Sequence, residues 1–229
     1  MTIYAPCHPT RFIVQWTCSS GLIGRLTIGV HGSIASGFLT ELRHRYRFEH
    51  PAIEQVITEG PSSQIIAMIR DDRLDVAFVV NARNLPDCHS RHLWSEDFIV
   101  VVPSGHRLAV KETITWLDLV SESFLVRYGG AGPQMFAHIV RRVTERGQSP
   151  CIHRRDVGRD TLMHMVAAKE GITLTSEAAT PVPFPGVVLR SIADETEKAR
   201  FSAVWSPHNR SPALRHLMDI AIGMSRSEQ

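Results

Sequence analysis

Short apolar runs alternate with segments of helical period from Gly24 to Val80, and this alternation limits the fold more than any other feature of the chain. Leu26-Thr27-Ile28-Gly29-Val30, Ile53 to Thr58 and Asp75 to Val80 have the length and apolar character of strands. Gly37 to Phe48 places Phe38, Leu39, Leu42 and Tyr46 on one helical face. His50-Pro51 ends that helix, because a residue before proline is pushed out of the helical region. Gln64 to Asp71 reads as a second helix, entered through the turn Gly60-Pro61-Ser62-Ser63. Strand, helix, strand, helix, strand with short turns specifies a parallel sheet wound with right-handed crossovers.

The same logic recurs further on. Asn81 to Trp94 is polar, contains Pro86 and reads as a connection, whereas Phe98-Ile99-Val100-Val101-Val102 suits a central strand. Ile114 to Leu119 is a short helix capped by Thr113 or Thr115, and Ser123 to Arg127 a strand. Tyr128-Gly129-Gly130-Ala131-Gly132-Pro133 is a glycine-rich turn that opens the helix Gln134 to Arg146. Ile152 to Val157 is a strand, and Asp160 to Lys169 a helix with Leu162, Met163 and Val166 inward and Gly171 as its C-cap. Ile172-Thr173-Leu174, Val187 to Leu189 and Phe201 to Trp205 are further strands, Pro181 to Pro185 a surface loop, and Pro212 to Met224 the closing helix. The final strand and helix have no counterpart in the second run. The fold class expected is therefore α/β, with two Rossmann-like lobes joined by two crossover strands and a cleft between them. Residues 23–97 with 192–225 form the first lobe and 98–191 the second, and residues 1–22 are a tail without helical period.

Composition excludes more than it selects. With 25 basic and 23 acidic residues the formal net charge is +2, so no concentrated basic surface marks a nucleic-acid binder. The densest basic stretch, Ile139 to Arg155, reads as the solvated face of a helix and its exit. Cys7, Cys18, Cys88 and Cys151 are far apart, and none of the twelve histidines forms H-E-x-x-H, so no metal site is expected. No apolar run reaches the length of a membrane span, and the start of the chain lacks the basic region of a signal peptide, which points to the cytoplasm. Neither a G-x-S-x-G elbow nor a phosphate-binding loop with its lysine is present, and no catalytic residue or cofactor is expected.

Four segments in order carry a resemblance: GRLTIGV followed by a helix ending in EHP, DDRLDVAFVV, LWSEDFIVVVPSGHRLA, and VAAKEGITLTSEAA. Together they resemble the regulatory domain of LysR-type transcriptional regulators, over about Gly21 to Ile222. The resemblance implies a two-lobed fold of the type 2 periplasmic-binding-protein kind, a small-molecule effector held between the lobes, and assembly as a homodimer or homotetramer. That family begins with a helix-turn-helix domain, for which residues 1–22 are too short, so DNA contact is expected only through a domain missing here. A free-standing solute-binding protein of a transporter is the alternative, and the absence of a secretion signal counts against it.

Ligand groups in such a fold come from turns at strand C-termini, where helix N-termini present unpaired N–H groups. The resemblance matches contact positions to Ser33 and Ser62, with Ile34 and Ser63 beside them, and to Pro133, Gln134 and Met135 across the cleft. A further pocket position matches Gly158 or Arg159, and Tyr128 and His31 are additional candidates. Each has a plainer reading. Ser62 caps a helix, Ser33 fits a tight turn, Met135 fills a core, and Arg159 is a solvated arginine. The ligand chemistry expected is a small organic acid, with Arg159 as counter-charge.

Overall fold

The computed structural model describes residues 24–31, 37–82, 85–179 and 183–227. The first lobe begins with β1 (Gly24–Val30), α1 (Phe38–Glu49), β2 (Ile53–Glu59), α2 (Ser62–Arg70) and β3 (Val76–Val80). As the alternation predicts, β1 lies between β2 and β3 and pairs with both in parallel. Leu26, Ile28, Leu42 and Tyr46 of this lobe are fully buried together, while Ile65 and Ile69 of α2 pack on the opposite face of the sheet.

The long strand β4 (His89–Pro103) then passes out of the first lobe. The second lobe comprises β5 (Thr113–Ile114), α3 (Trp116–Leu119), β6 (Ser123–Arg127), α4 (Gly132–Thr144), β7 (Cys151–Arg155), α5 (Arg159–Ala167), β8 (Thr173–Ser176), a 3₁₀ turn over Glu177–Ala179, and β9 (Val187–Ile192). β10 (Lys198–Trp205) and α6 (Pro212–Ser227) close the first lobe. The main sheet runs β2-β1-β3-β10-β4-β9-β5, with β8 also on β4, and β6 pairs in parallel with β7.

Several local expectations change. The polar stretch before Trp94 is not a connection along its length: from His89 it is the first part of β4, paired antiparallel to β10. Polarity misled because this segment runs along the surface, with its first three residues exposed. Gly171 is not the C-cap of α5. Lys169 takes the left-handed conformation there (φ 66°), while Gly171 sits where a Cβ would come 2.6 Å from the Ser123 carbonyl oxygen. Thr115, rather than Thr113, caps α3, in a reciprocal box with Asp118.

The basic stretch of α4 is not a solvated face. It meets the acidic segment Asp194 to Glu197, through which the chain returns to the first lobe. Arg142 pairs with the buried Glu195, Arg141 with Glu197, and Arg146 with Asp194 at 2.7 Å. Glu195 also accepts from His138 at 2.7 Å and from the Trp116 indole at 2.9 Å. Arg141 donates to His138 Nδ1, which leaves the imidazole proton on Nε2, facing Glu195. Burial would raise the Glu195 carboxyl, but hydrogen bonds from His138, Arg142 and the Glu197 backbone outweigh it and hold the group well below the usual range. This cluster pins the returning crossover to α4.

Glu195→Ala strips the counter-charge from a buried guanidinium. The expected loss of unfolding free energy is about 3–5 kcal/mol, measured by chemical denaturation. Arg141→Ala, at a pair that is more than 40% exposed on both sides, is expected to cost no more than about 1 kcal/mol.

Candidate functional site

A cavity of about 110 Å³ lies between the lobes. Its first wall is built from the C-terminal ends of β1 and β3 and from the two crossing strands. Its second wall is the end of β6 with the first turns of α4 and α5 and strand β8. These are the places where strands end and helix N-termini point inward.

The apolar part of the cavity is aromatic. Trp94 on β4 stacks between Phe38 (4.7 Å between centroids) and Phe201 (4.6 Å), and both Trp94 and Phe201 face the space. The Trp94 indole N–H donates to Glu96 Oε1 at 2.7 Å, and the Ala178 backbone N–H donates to Glu96 Oε2 at 3.3 Å. Glu96 is 8% exposed and lines the cavity two residues along the strand from Trp94, on the same face.

Arg127 stands opposite, as the last residue of β6. Its guanidinium has no hydrogen-bonding or ion-pair partner among the described residues, although it borders the cavity. The glycine-rich turn that follows explains how it is held. A Cβ on Gly132 would lie 1.8 Å from the Arg127 carbonyl oxygen, so the first turn of α4 packs against the backbone of Arg127 only because no side chain intervenes. Gly130 has φ +57°, and a Cβ there would lie 2.5 Å from Arg127 Nη2 and 3.1 Å from the His31 carbonyl oxygen of the other lobe. Both glycines serve close approach rather than contact with a phosphate.

His31, at the end of β1, is 2% exposed. Its Nδ1–H donates to the Phe78 carbonyl at 3.2 Å, since a carbonyl only accepts, and this places the imidazole proton on Nδ1. Burial lowers its pKa to about 4; the Phe78 hydrogen bond opposes the shift and the nearby Arg127 charge adds to it.

Of the residues singled out in the sequence, Met135, Arg159 and His31 line this cavity. Arg159 also meets Asp160 at 3.4 Å, a loose contact with an exposed carboxylate. Ser62 and Gln134 do not line it. They meet each other across the lobes, Gln134 Nε2 donating to Ser62 Oγ at 3.0 Å. Gln134 borders a broader groove with Arg141, Lys198 and Arg200, and its Oε1 is buried without a partner among the described residues. Ser63 and Pro133 are exposed on the first turns of α2 and α4. Tyr128 is half exposed beneath the Arg154 guanidinium, 4.1 Å from its ring centroid, and Gly158 is the N-cap of α5. Ser33 and Ile34 lie outside the described residues.

The capping role expected of Ser62 is overturned. Pro61 is the N-cap of α2, no side chain caps the helix, and the Ser62 hydroxyl accepts from Gln134 instead. Two charged cavity residues escaped the sequence reading, Arg127 and Glu96. The signal for Arg127 was present: a charged residue ending the apolar run Phe124-Leu125-Val126, directly before a glycine turn.

Two outcomes follow from this geometry. Gly132→Ala is expected to destabilise the domain by about 1–3 kcal/mol, read as a lower midpoint in thermal unfolding, because a backbone must move. His31 favours its neutral form in the folded state. Its folded pKa of about 4 lies below the ordinary 6.5, so the stability it contributes is complete above 6.5 and is lost as pH falls toward 4. Between those values the wild type is expected to lose about 3 kcal/mol relative to His31→Gln, by denaturation at a series of pH values.

The comparisons with known proteins agree with this architecture. The family model described as the LysR substrate binding domain matches residues 19–224. The transcriptional dual regulator GltC of Bacillus subtilis (strain 168) is 24% identical over 191 residues, 83% of this chain and 63% of that protein. The transcriptional regulator AlsR of the same organism is 22% identical over 198 residues, covering 86% of this chain and 66% of that protein. The chain thus spans about two thirds of the length of these relatives. Among solved structures, the effector binding domain of QuiR in complex with shikimate superposes with a TM-score of 0.78 at 19% identity, over 90% of this chain and 99% of that one. The BenM effector binding domain with its effector benzoate gives 0.76 at 21% identity, over 90% and 93%. With the two-lobed fold, the cavity between the lobes and a family match over residues 19–224, the chain belongs to the LysR substrate-binding domain family.

Proposed function

We propose that this chain is the sensing part of a LysR-type transcriptional regulator and that its effector is a small carboxylate bound between the lobes. The observation that carries the reading is Arg127, a guanidinium without a partner among the described residues, at the wall of a cavity whose other wall is largely apolar and aromatic. A planar guanidinium matches a carboxylate with two parallel hydrogen bonds, and Arg159 adds a second positive charge nearby. The lobes are taken as residues 23–97 with 192–225 and residues 98–191, with β4 and the Asp194 to Glu197 segment as the paths between them. A ligand touching both walls favours one lobe orientation over others in proportion to its difference in affinity for the two. Work of this kind needs binding and no catalysis. In the whole protein, contact with DNA belongs to a helix-turn-helix domain outside this chain, and the domains associate as a homodimer or homotetramer. Relatives of known structure bind benzoate and shikimate, which are both carboxylates of modest size.

The test is calorimetric titration with a panel of small monocarboxylates, including benzoate and shikimate, and with neutral and cationic compounds of the same size. Arg127→Gln is expected to weaken carboxylate binding about 10- to 100-fold. Binding only of the neutral or cationic compounds, or undiminished binding of carboxylates by the variant, sinks the proposal.

A further inference from the structure

The cavity holds charges of both signs, and they do not meet. Glu96 is more than nine-tenths buried, yet its two hydrogen bonds come from neutral donors, the Trp94 indole and the Ala178 backbone. No lysine, arginine or histidine nitrogen among the described residues lies within 4.0 Å of it. A carboxylate has about four lone-pair sites, and the described residues fill two of them. Buried charges are ordinarily paired, because desolvating a lone one is costly. Arg127 faces the same space from the other lobe with no acceptor among the described residues. So, among the described residues, the cavity is lined by an anion on β4 and a cation at the end of β6 that lack ion-pair partners, together with the aromatic Trp94 and Phe201.

We infer that the effector is a zwitterion of α-amino acid type, its carboxylate on Arg127 and its ammonium on Glu96. This rests on the carboxylate reading above and sharpens it. A simple carboxylate would satisfy Arg127 and leave Glu96 unpaired. A dicarboxylate, even with its second group on Arg159, would still leave Glu96 without a cation, and a plain amine would meet Arg127 with like charge. Only a ligand with both groups compensates both walls, and in doing so it links the first lobe to the second through two charge-assisted contacts. The cavity volume limits the remainder. An apolar cavity of about 150 Å³ holds one benzene, and about 110 Å³ is available here. The side chain that fits is short and apolar, lying against Trp94 and Phe201.

Matched pairs that differ only in the amino group test this: L-2-aminobutyrate against butyrate, and L-norvaline against valerate, titrated by calorimetry into the wild-type chain. The expected result is a preference of about tenfold or more for the amino acid of each pair. In Glu96→Gln, where an amide oxygen still accepts from Trp94, the preference is expected to shrink to within about threefold, the deaminated acid holding its affinity. Thermal unfolding of the variant checks that it is folded, and the wild-type ratio needs no variant. If butyrate and valerate bind as well as or better than their amino counterparts, the inference is overturned while the carboxylate reading stands. A preference that survives Glu96→Gln overturns the role given to Glu96. Binding of none of the four overturns both.

Discussion

The pairing of β4 on both its ends is the constraint on which the rest of the molecule depends. Its first part is hydrogen-bonded to β10, with Glu96 opposite Ala199 and Trp94 opposite Phe201. Its second part is paired to β8 and β9, with Val100 opposite both Leu174 and Arg190. One strand therefore fixes the position of both lobes. Because side chains alternate along a strand, Trp94 and Glu96 share a face, and a slip of one residue would turn both away from the cavity. The register shifts between Phe201 and Ser202, whose partners are Trp94 and His92, so Leu93 is an extra residue that bulges β4 itself beside Trp94.

Against that frame, the polar contacts between lobes divide the labour. Glu195, His138, Arg142 and Trp116 form a closed cluster on the crossover, in which every charge has a partner. Glu96 and Arg127, by contrast, stand on opposite walls with no ion-pair partner among the described residues. Two buried acidic residues in one small domain are thus treated in opposite ways, one neutralised internally and one left facing the cavity. Satisfied buried networks rigidify, whereas unsatisfied groups in a cavity create demand for a ligand.

Much of the fold was legible from period and punctuation alone. The β1 to β3 unit reads directly from apolar runs of five and from the Phe38, Leu39, Leu42, Tyr46 face, because local pattern and tertiary burial agree there. The first half of β4 did not, since an exposed segment with His89, Arg91 and His92 carries no apolar alternation and is held by its pairing to β10. The site was less legible. Turns at strand ends could be named, and Met135, Arg159 and His31 do line the cavity. Yet Ser62 was read as a local cap when its partner, Gln134, lies 72 positions away in the chain, and no local rule carries information of that range. Arg127 and Glu96 matter because of what they lack, and a missing partner is visible only when every neighbour is in place. The α4 arginines show the converse: a basic run is solvated or consumed according to where Asp194 to Glu197 is brought.

Gly130 brings the lobes together by what it omits. The position its Cβ would take is crowded by both the Arg127 guanidinium and the His31 carbonyl oxygen, and a hydrogen stands where any other residue would place carbon. Repulsion between atomic cores rises far more steeply than any attraction across the cavity. A Cβ at this position would therefore have to displace the Arg127 guanidinium or part it from the His31 backbone. The closeness of the two lobes at this point is thus set by backbone atoms, and it persists only while position 130 carries no side chain.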